Sequence, residues 1–283
     1  MRYTVSDEEH GLSLLSFLHK KGKGAFSLKT LKEAIAKKSC RIGNRIETFS
    51  SYKLSKGEIV EFDISLAQTP SKTPEILYED EDLVIINKKV GSVCKDPFLP
   101  DRSWKLVHRL DKETSGVLLL AKHEKAKQAL EGLFAKRQVE KLYLAICDGK
   151  FFSSSGVIHN KLAPKGGYQG QTLYGSAIRG EVAITHWSLM SKAKNSSLVL
   201  CDLKTGRTHQ IRVHMSEMGH PILGDIQYAN KKFSCDFVAR RSLLHAWKVS
   251  FIHPFSQKKI SITAPLPLDF QEALTTLHLT VAI

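Results

Sequence analysis

The sequence predicts an α+β protein in which a mixed, largely antiparallel sheet with flanking helices follows a small α/β unit. Three observations predict this. Beyond about residue 76 the chain is rich in short apolar runs bounded by turn residues, and these runs do not alternate with helices as a doubly wound parallel sheet requires. A polar stretch carrying Pro70 and Pro74, Ser65 to Glu75, separates them from a basic first segment and reads as a linker. The chain has 283 residues, enough for one large domain or two unequal ones. The expected boundaries are a small domain over 1–65, a linker over 66–75 and a large domain over 76–283.

In the first segment, Leu14, Leu15, Phe17 and Leu18 fit a short helix, and Leu31, Ala34 and Ile35 share one face of a second, with lysines opposite. RIGNRIE reads as a strand turning through Gly43 and Asn44, and KGEIVEFDI as a turn at Gly57 with a closing strand. The large domain offers strands at LVIIN (83–87), VLLLA (117–121), LYLAIC (142–147), VAITHWSLM (182–190), LVLCDL (198–203) and ISIT (260–263). One helix is expected over 123–137, with Ala126, Leu130, Leu133 and Phe134 at helical spacing.

Charge narrows the partners. Lys and Arg number 42 against 28 Asp and Glu, a net charge of +14. Such a surplus favours a polyanion, because neutralising phosphates releases their counterions. No apolar run is long enough to span a bilayer, and the N-terminus lacks the apolar core of a signal peptide, so a cytoplasmic location is the expectation. The five cysteines are widely spaced and contain no CxxC pair, which argues against a disulfide framework or structural zinc. Sequence signatures for nucleotide hydrolysis, dinucleotide redox chemistry, esterase chemistry and zinc proteolysis are absent. His209, His214 and His220 are close in sequence, but histidines set among Thr, Gln and Arg more often bond or contact phosphate, and no metal is expected.

Three stretches carry candidate chemistry. HRLDKETSG places one carboxylate, Asp111, among His108, Arg109 and Lys112 at the lip of an apolar strand. TGRTHQIRVHMSEMGHPILGD gathers Arg207, His209, Gln210, Arg212 and His214. Read as a strand, its alternation puts Gln210, Arg212 and His214 on one face and His209, Ile211 and Val213 on the other. An arginine centred on a polar strand face suits an anion or a carboxylate partner. EKLYLAICDG carries Tyr143 within a strand; read alone, it is a core tyrosine.

Together these stretches closely resemble the RluA-type pseudouridine synthases. The elements that match are His108-Arg109-Leu110-Asp111 with Thr114-Ser115-Gly116, GRTHQIRVH (206–214), GHPILGD, KLYLA and LLHAWKVSFIHP, spread over roughly residues 75–270. The first segment more loosely resembles the S-four type (αL) RNA-binding motif, with Ser27-Leu28-Lys29 where that motif usually has Ser-Arg. A second departure is Asn87-Lys88-Lys89-Val90-Gly91, followed by Cys94-Lys95-Asp96-Pro97, where the family often has NKPxG and a later His-Pro.

The resemblance implies a catalytic domain with a central cleft and a cofactor-free isomerisation of uridine in RNA, with ribosomal RNA favoured over transfer RNA, a monomer and no membrane. It implies that Asp111 is the catalytic carboxylate, Tyr143 the active-site tyrosine stacking on the base, and Arg212 the partner of Asp111. Arg109 corresponds to the residue that replaces the flipped-out uridine in the stack, and Ile211 to an apolar contact near the base. His108, Arg207, His209 and Gln210 complete the expected substrate-binding set. Glycoside hydrolysis uses two carboxylates, one of them to direct water. An exchange that retains its leaving group needs one, which fits a lone acid in a basic loop. A non-catalytic RNA-binding or ribosome-assembly protein is the main alternative. A hydrolytic glycosidase with Glu113 as second acid is a further one.

Overall fold

A computed structural model describes residues 1–22, 26–36, 38–43, 45–63, 74–92, 94, 101, 103–168, 171–229 and 233–281. The expected turn residue Asn44, nearly all of the linker and the Lys95-Asp96-Pro97 stretch lie outside the described residues. The chain divides into two compact units, Met1–Lys72 and Thr73–Ile283.

The first unit contains β1 (Arg2–Thr4), α1 (Leu14–Lys21), α2 (Leu28–Ala36), β2 (Cys40–Ile42), β3 (Arg45–Glu47) and β4 (Ile59–Phe62). Its four strands form an antiparallel sheet in the order β1-β4-β2-β3. Both helices start on a serine hydroxyl: Ser13 accepts from the Ser16 N–H and Ser27 from the Thr30 N–H, each at 3.1 Å. Leu14, Phe17 and Leu18 of α1 and Leu31, Ala34 and Ile35 of α2 share one core with Val60 and Phe62. The same helix leaves Lys29 and Lys32 exposed.

Among the described residues the second unit is an 11-stranded sheet flanked by three helices. Its elements run β5 (Glu75–Glu79), β6 (Leu83–Lys88), β7 (Lys105–Leu106), β8 (Ser115–Ala121), α3 (Glu124–Ala135), β9 (Glu140–Asp148), β10 (Ser155–Tyr168), β11 (Gln171–Ser176), β12 (Glu181–Lys192), β13 (Ser196–Leu203), α4 (Gln210–Glu217), β14 (Leu244–Ile252), β15 (Lys259–Thr263) and α5 (Leu268–Thr276). The sheet order is β11-β10-β12-β13-β9-β14-β8-β6-β5, with β15 on β14 and β7 on β8. Among the described residues β14–β8 is the one parallel pairing, and it is two residues long. All six expected strands and the expected helix are present, within two or three residues at their ends. The long β10–β11 hairpin, which pairs across a register shift near Pro164, was not foreseen.

The expected strand through 205–214 is instead the helix α4, and this corrects the face assignment. Residues two apart on a helix lie about 200° apart, so Arg212 points away from Gln210 and His214, which as i and i+4 share a face and both bond Thr185 Oγ1. The error has a physical cause. Every residue of α4 from Gln210 to Ser216 is buried, so the helix needs no polar face and shows no amphipathic period. Its alternation of apolar with polar residues imitates a strand, while its polar side chains are satisfied by tertiary partners.

Candidate active site

The loop joining β7 to β8 carries Asp111, and its shape follows from its neighbours. Gly116, the second residue of β8, has φ 111°, and a Cβ there would overlap the backbone of Ala246, so the two strands meet only because this residue has no side chain. Beside it, the Ser115 hydroxyl bonds Nδ1 of the buried His245 at 2.9 Å. The Thr-Ser-Gly run therefore fits its carrier strand to the Leu-His-Ala run of β14.

Buried cations hold the loop from beneath. Lys88 is wholly buried and donates to the carbonyls of Thr114 at 2.7 Å, Lys89 at 3.2 Å and Lys112 at 3.3 Å. Burial pulls its pKa down to about 8, against the opposing charges of Cys94 and Asp111. Arg241, also buried, donates to the Glu113 carbonyl at 3.0 Å and clasps Asp269 at 2.6 and 2.9 Å. Gly91 N–H adds a bond to the Lys112 carbonyl at 2.8 Å. Three consecutive carbonyls, those of residues 112–114, are thus occupied, and Asp111 projects from a fixed frame.

Asp111, Arg109, Tyr143, Leu203, Arg207, His209, Ile211, Arg212 and Leu244 are among the residues that line one cleft of about 110 Å³. The structure therefore brings together the expected carboxylate, tyrosine and arginine. Arg212 Nη1 lies 3.6 Å from Asp111 Oδ2. Its main partner, however, is Asp225, which takes Nε at 2.6 Å and Nη2 at 2.9 Å. Gln227 accepts a further bond from Nη2, and the guanidinium lies 4.9 Å from the Tyr228 ring centre. Asp225 is buried, so a bidentate pair fixes the guanidinium and leaves Nη1 to face Asp111.

Tyr143 sits on β9 opposite Cys201 and Ala246. Burial, with the charge of Asp111 adding to it, pushes its phenol pKa well above the ordinary value, so the hydroxyl is neutral at neutral pH. His209 precedes α4 in a left-handed conformation, with Nδ1 at 2.7 Å from the Tyr228 hydroxyl and Nε2 at 3.8 Å from Asp111 Oδ1. Arg207 is tied by Nε to the Val182 carbonyl at 3.0 Å and by Nη1 to Glu181 at 2.9 Å.

Two expected contacts are redirected. His108 is absent from the cleft lining: its Nε2 accepts the Leu119 N–H at 2.9 Å, and the ring stacks on Phe134 at 4.8 Å. Burial, with Lys141 adding to it, lowers its pKa to about 3, as an accepting nitrogen requires. It completes a backbone bond beside the short β7 rather than reaching substrate. Gln210 borders the cleft, but both its amide hydrogens are spent on Ile184 O and Thr185 Oγ1, and its oxygen accepts from Thr205 and Arg207. It braces the turn into α4.

The three histidines close in sequence do not converge. His209 faces Tyr228, His214 bonds Thr185 and Asn160, and His220 bonds the Asp148 carbonyl. Elsewhere Asp80, Asp82 and His253 place their ligand atoms within 4.8 Å of one another. Nδ1 of His253 accepts the N–H groups of Phe255 and Ser256, so Nε2 carries the proton towards the carboxylates and has no lone pair for a metal. Lys88, Asp225, Gln227, Tyr228 and Arg241 were not singled out from sequence. Asp225 ends GHPILGD, yet nothing in that run shows which arginine it meets.

The cleft sets the Asp111 carboxylate among basic side chains beside a neutral tyrosine, on a mixed sheet, and comparison with known proteins gives its class, an RNA pseudouridine synthase. The chain belongs to the RNA pseudouridylate synthase family, in its RluA-type branch: residues 82–217 match the family model described as RNA pseudouridylate synthase. It is 34% identical over 253 residues to ribosomal large subunit pseudouridine synthase D of Zymomonas mobilis, covering 78% of this chain and 80% of that one. Identity to ribosomal large subunit pseudouridine synthase C of Vibrio cholerae is 30%, over 89% of this chain and 90% of that one. Among solved structures, human RNA pseudouridylate synthase domain containing 4 superposes with a TM-score of 0.64 at 28% identity, over 74% of this chain and 95% of that one.

Proposed function

We propose that the protein converts specific uridines of large-subunit ribosomal RNA to pseudouridine, acting as a monomer in the cytoplasm without a cofactor. The observation that carries the reading is Asp111, which faces a cleft with Arg212 Nη1 at 3.6 Å and shares its lining with Tyr143. The relatives named as ribosomal large subunit synthases favour that RNA. The isomerisation exchanges one glycosidic bond for another within one nucleotide, so it consumes no oxidant, reductant or water.

In this reading the target uridine leaves its helix, because C1′ and N1 are inaccessible in stacked RNA. Asp111 acts on the ribose, the C1′–N1 bond breaks with its electron pair going to N1, the uracil turns, C5 joins C1′, and the C5 hydrogen leaves as a proton while N1 takes one up. Tyr143 stacks on the base. Arg212, anchored by Asp225, sets the rotamer of Asp111. Arg109 is exposed at the cleft and fills the gap left in the RNA stack, and Ile211 supplies an apolar contact. The first unit acts as an S-four type RNA-binding domain over 1–65, joined by 66–75 to a catalytic domain over 76–283. Its net charge of +6 over residues 1–60 (12 basic against 6 acidic side chains) and the exposed Lys29 and Lys32 support this.

The test uses large-subunit ribosomal RNA transcribed in vitro with [5-³H]uridine. Wild-type protein releases tritium; Asp111→Asn binds the RNA and releases none. Near wild-type release by Asp111→Asn would remove the aspartate from the mechanism.

A further inference from the structure

We infer that Tyr228 locks His209 as its Nε2–H tautomer, and that this N–H is the hydrogen-bond donor to a uracil carbonyl while the base is detached from the sugar; the inference rests on the isomerase reading above. The geometry begins with strain. His209 has φ 56° and ψ 19°, a left-handed conformation that a non-glycine residue holds only where its surroundings impose it. Two tyrosines flank its side chain. The imidazole meets the Tyr174 and Tyr228 rings edge-on, with centres 6.0 and 5.5 Å away.

The proton positions follow from the bonds. The Tyr228 hydroxyl oxygen accepts the Tyr174 N–H at 3.0 Å. Among the described residues, its own hydrogen has one acceptor within reach, His209 Nδ1 at 2.7 Å. Nδ1 therefore supplies a lone pair and the ring proton resides on Nε2. That nitrogen points to Asp111 Oδ1 at 3.8 Å, too long for a hydrogen bond, while Arg212 Nη1 stands off the other oxygen at 3.6 Å. Two donors thus flank the carboxylate without closing on it, and the Nε2–H is free to turn to an acceptor lying beside Asp111 in the cleft.

A neutral donor suits the step. When the C1′–N1 bond breaks, its electron pair leaves with N1, and the charge spreads onto the uracil carbonyls. An imidazole N–H stabilises that charge without giving up its proton, so the ring keeps its nucleophilic C5. The histidine gives up no proton while the base is detached, and the C5 hydrogen departs only after C5 has joined C1′. Burial lowers the pKa of His209 despite the opposing charge of Asp111, which keeps the ring neutral. Tyr228 is a positioning residue that acts through His209.

The experiment combines two-bond ¹H–¹⁵N correlation of the histidine-labelled full chain with tritium release from the labelled ribosomal transcript. Expected results are an Nε2–H pattern for His209 in wild type and mixed tautomers in Tyr228→Phe. Turnover at saturating RNA should fall about 100-fold in His209→Ala, the lower end of the range for loss of one preorganised donor, and roughly tenfold in Tyr228→Phe, where the donor is retained in part of the tautomers, with KM nearly unchanged. His209→Gln, whose amide N–H reaches the ε position, should retain more activity than His209→Asn. An Nδ1–H pattern in wild type, or His209→Ala turning over within threefold of wild type, overturns the proposal. If wild type releases no tritium, the isomerase reading falls and takes the carbonyl-donor role with it, whereas the tautomer pattern alone decides whether Tyr228 sets the ring.

Discussion

Replacing Lys88 by methionine tests whether the catalytic loop rests on a buried ammonium. The side chain is fully buried and has three backbone carbonyls, but no carboxylate, as direct partners among the described residues. Its pKa is lowered from 10.5 to about 8 by burial. In the unfolded chain lysine keeps its proton up to the ordinary value, so between these two pH values the unfolded state binds the extra proton. Stability attributable to Lys88 therefore rises with pH through that window. At about 1.4 kcal/mol per pH unit the rise is on the order of 3 kcal/mol. Denaturant unfolding of wild type and Lys88→Met, from about pH 7 to about pH 11, gives a difference curve free of titrations common to both. That curve should climb in favour of wild type from near pH 8 and level off above pH 10.5. At neutral pH the two proteins should be close in stability, because the variant escapes the desolvation cost but leaves three carbonyls unpaired. Turnover should nevertheless fall at least tenfold, since Asp111 then projects from a loop without its central tether. A flat difference curve would refute the buried-ammonium account, and full activity in the variant would refute the tether.

Asp225→Asn should cost about 3–5 kcal/mol, because it leaves the Arg212 guanidinium buried without its bidentate partner; calorimetry should find the melting temperature lower by about 6–20 °C. Turnover should fall more than KM rises, as Nη1 loses its fixed approach to Asp111. Acid should destabilise the fold as pH drops below the ordinary histidine value of 6.5. His108 is held down to about 3, and His214 and His245 each to about 4, all chiefly by burial, so the unfolded chain takes up protons that the native state refuses. His245→Asn should unfold over a shallower pH range than wild type in a fluorescence titration. Gly116→Ala should fail to give folded, active protein or should lose several kcal/mol, since its Cβ overlaps Ala246 at a φ that L residues avoid; a wild-type melting curve would overturn that.

Much of this was legible in the chain because it is local. The strand at 117–121 announces itself as a continuous apolar run, and the helix at 123–137 by its 3.6-residue spacing. Asp111, Tyr143 and Arg212 could be singled out by residue type and motif. His108 shows the limit: its place in a motif suggested substrate, but only the packed structure shows a ring spent on the Leu119 N–H and Phe134. Gln210 repeats the lesson, with its amide hydrogens and oxygen committed within the protein.

Local periodicity and charge, which depend on neighbours a few residues away, determined the sheet-rich second unit, the basic first one and the lone acid in its loop. Tertiary structure decided that 210–217 is a helix, because complete burial removes the polar face by which a helix is recognised in sequence. It also decided that Arg212 answers first to Asp225 and that Lys88 and Arg241 grip the loop carrying Asp111. A buried cation takes whichever oxygens the fold delivers, and those lie up to 128 positions away along the chain.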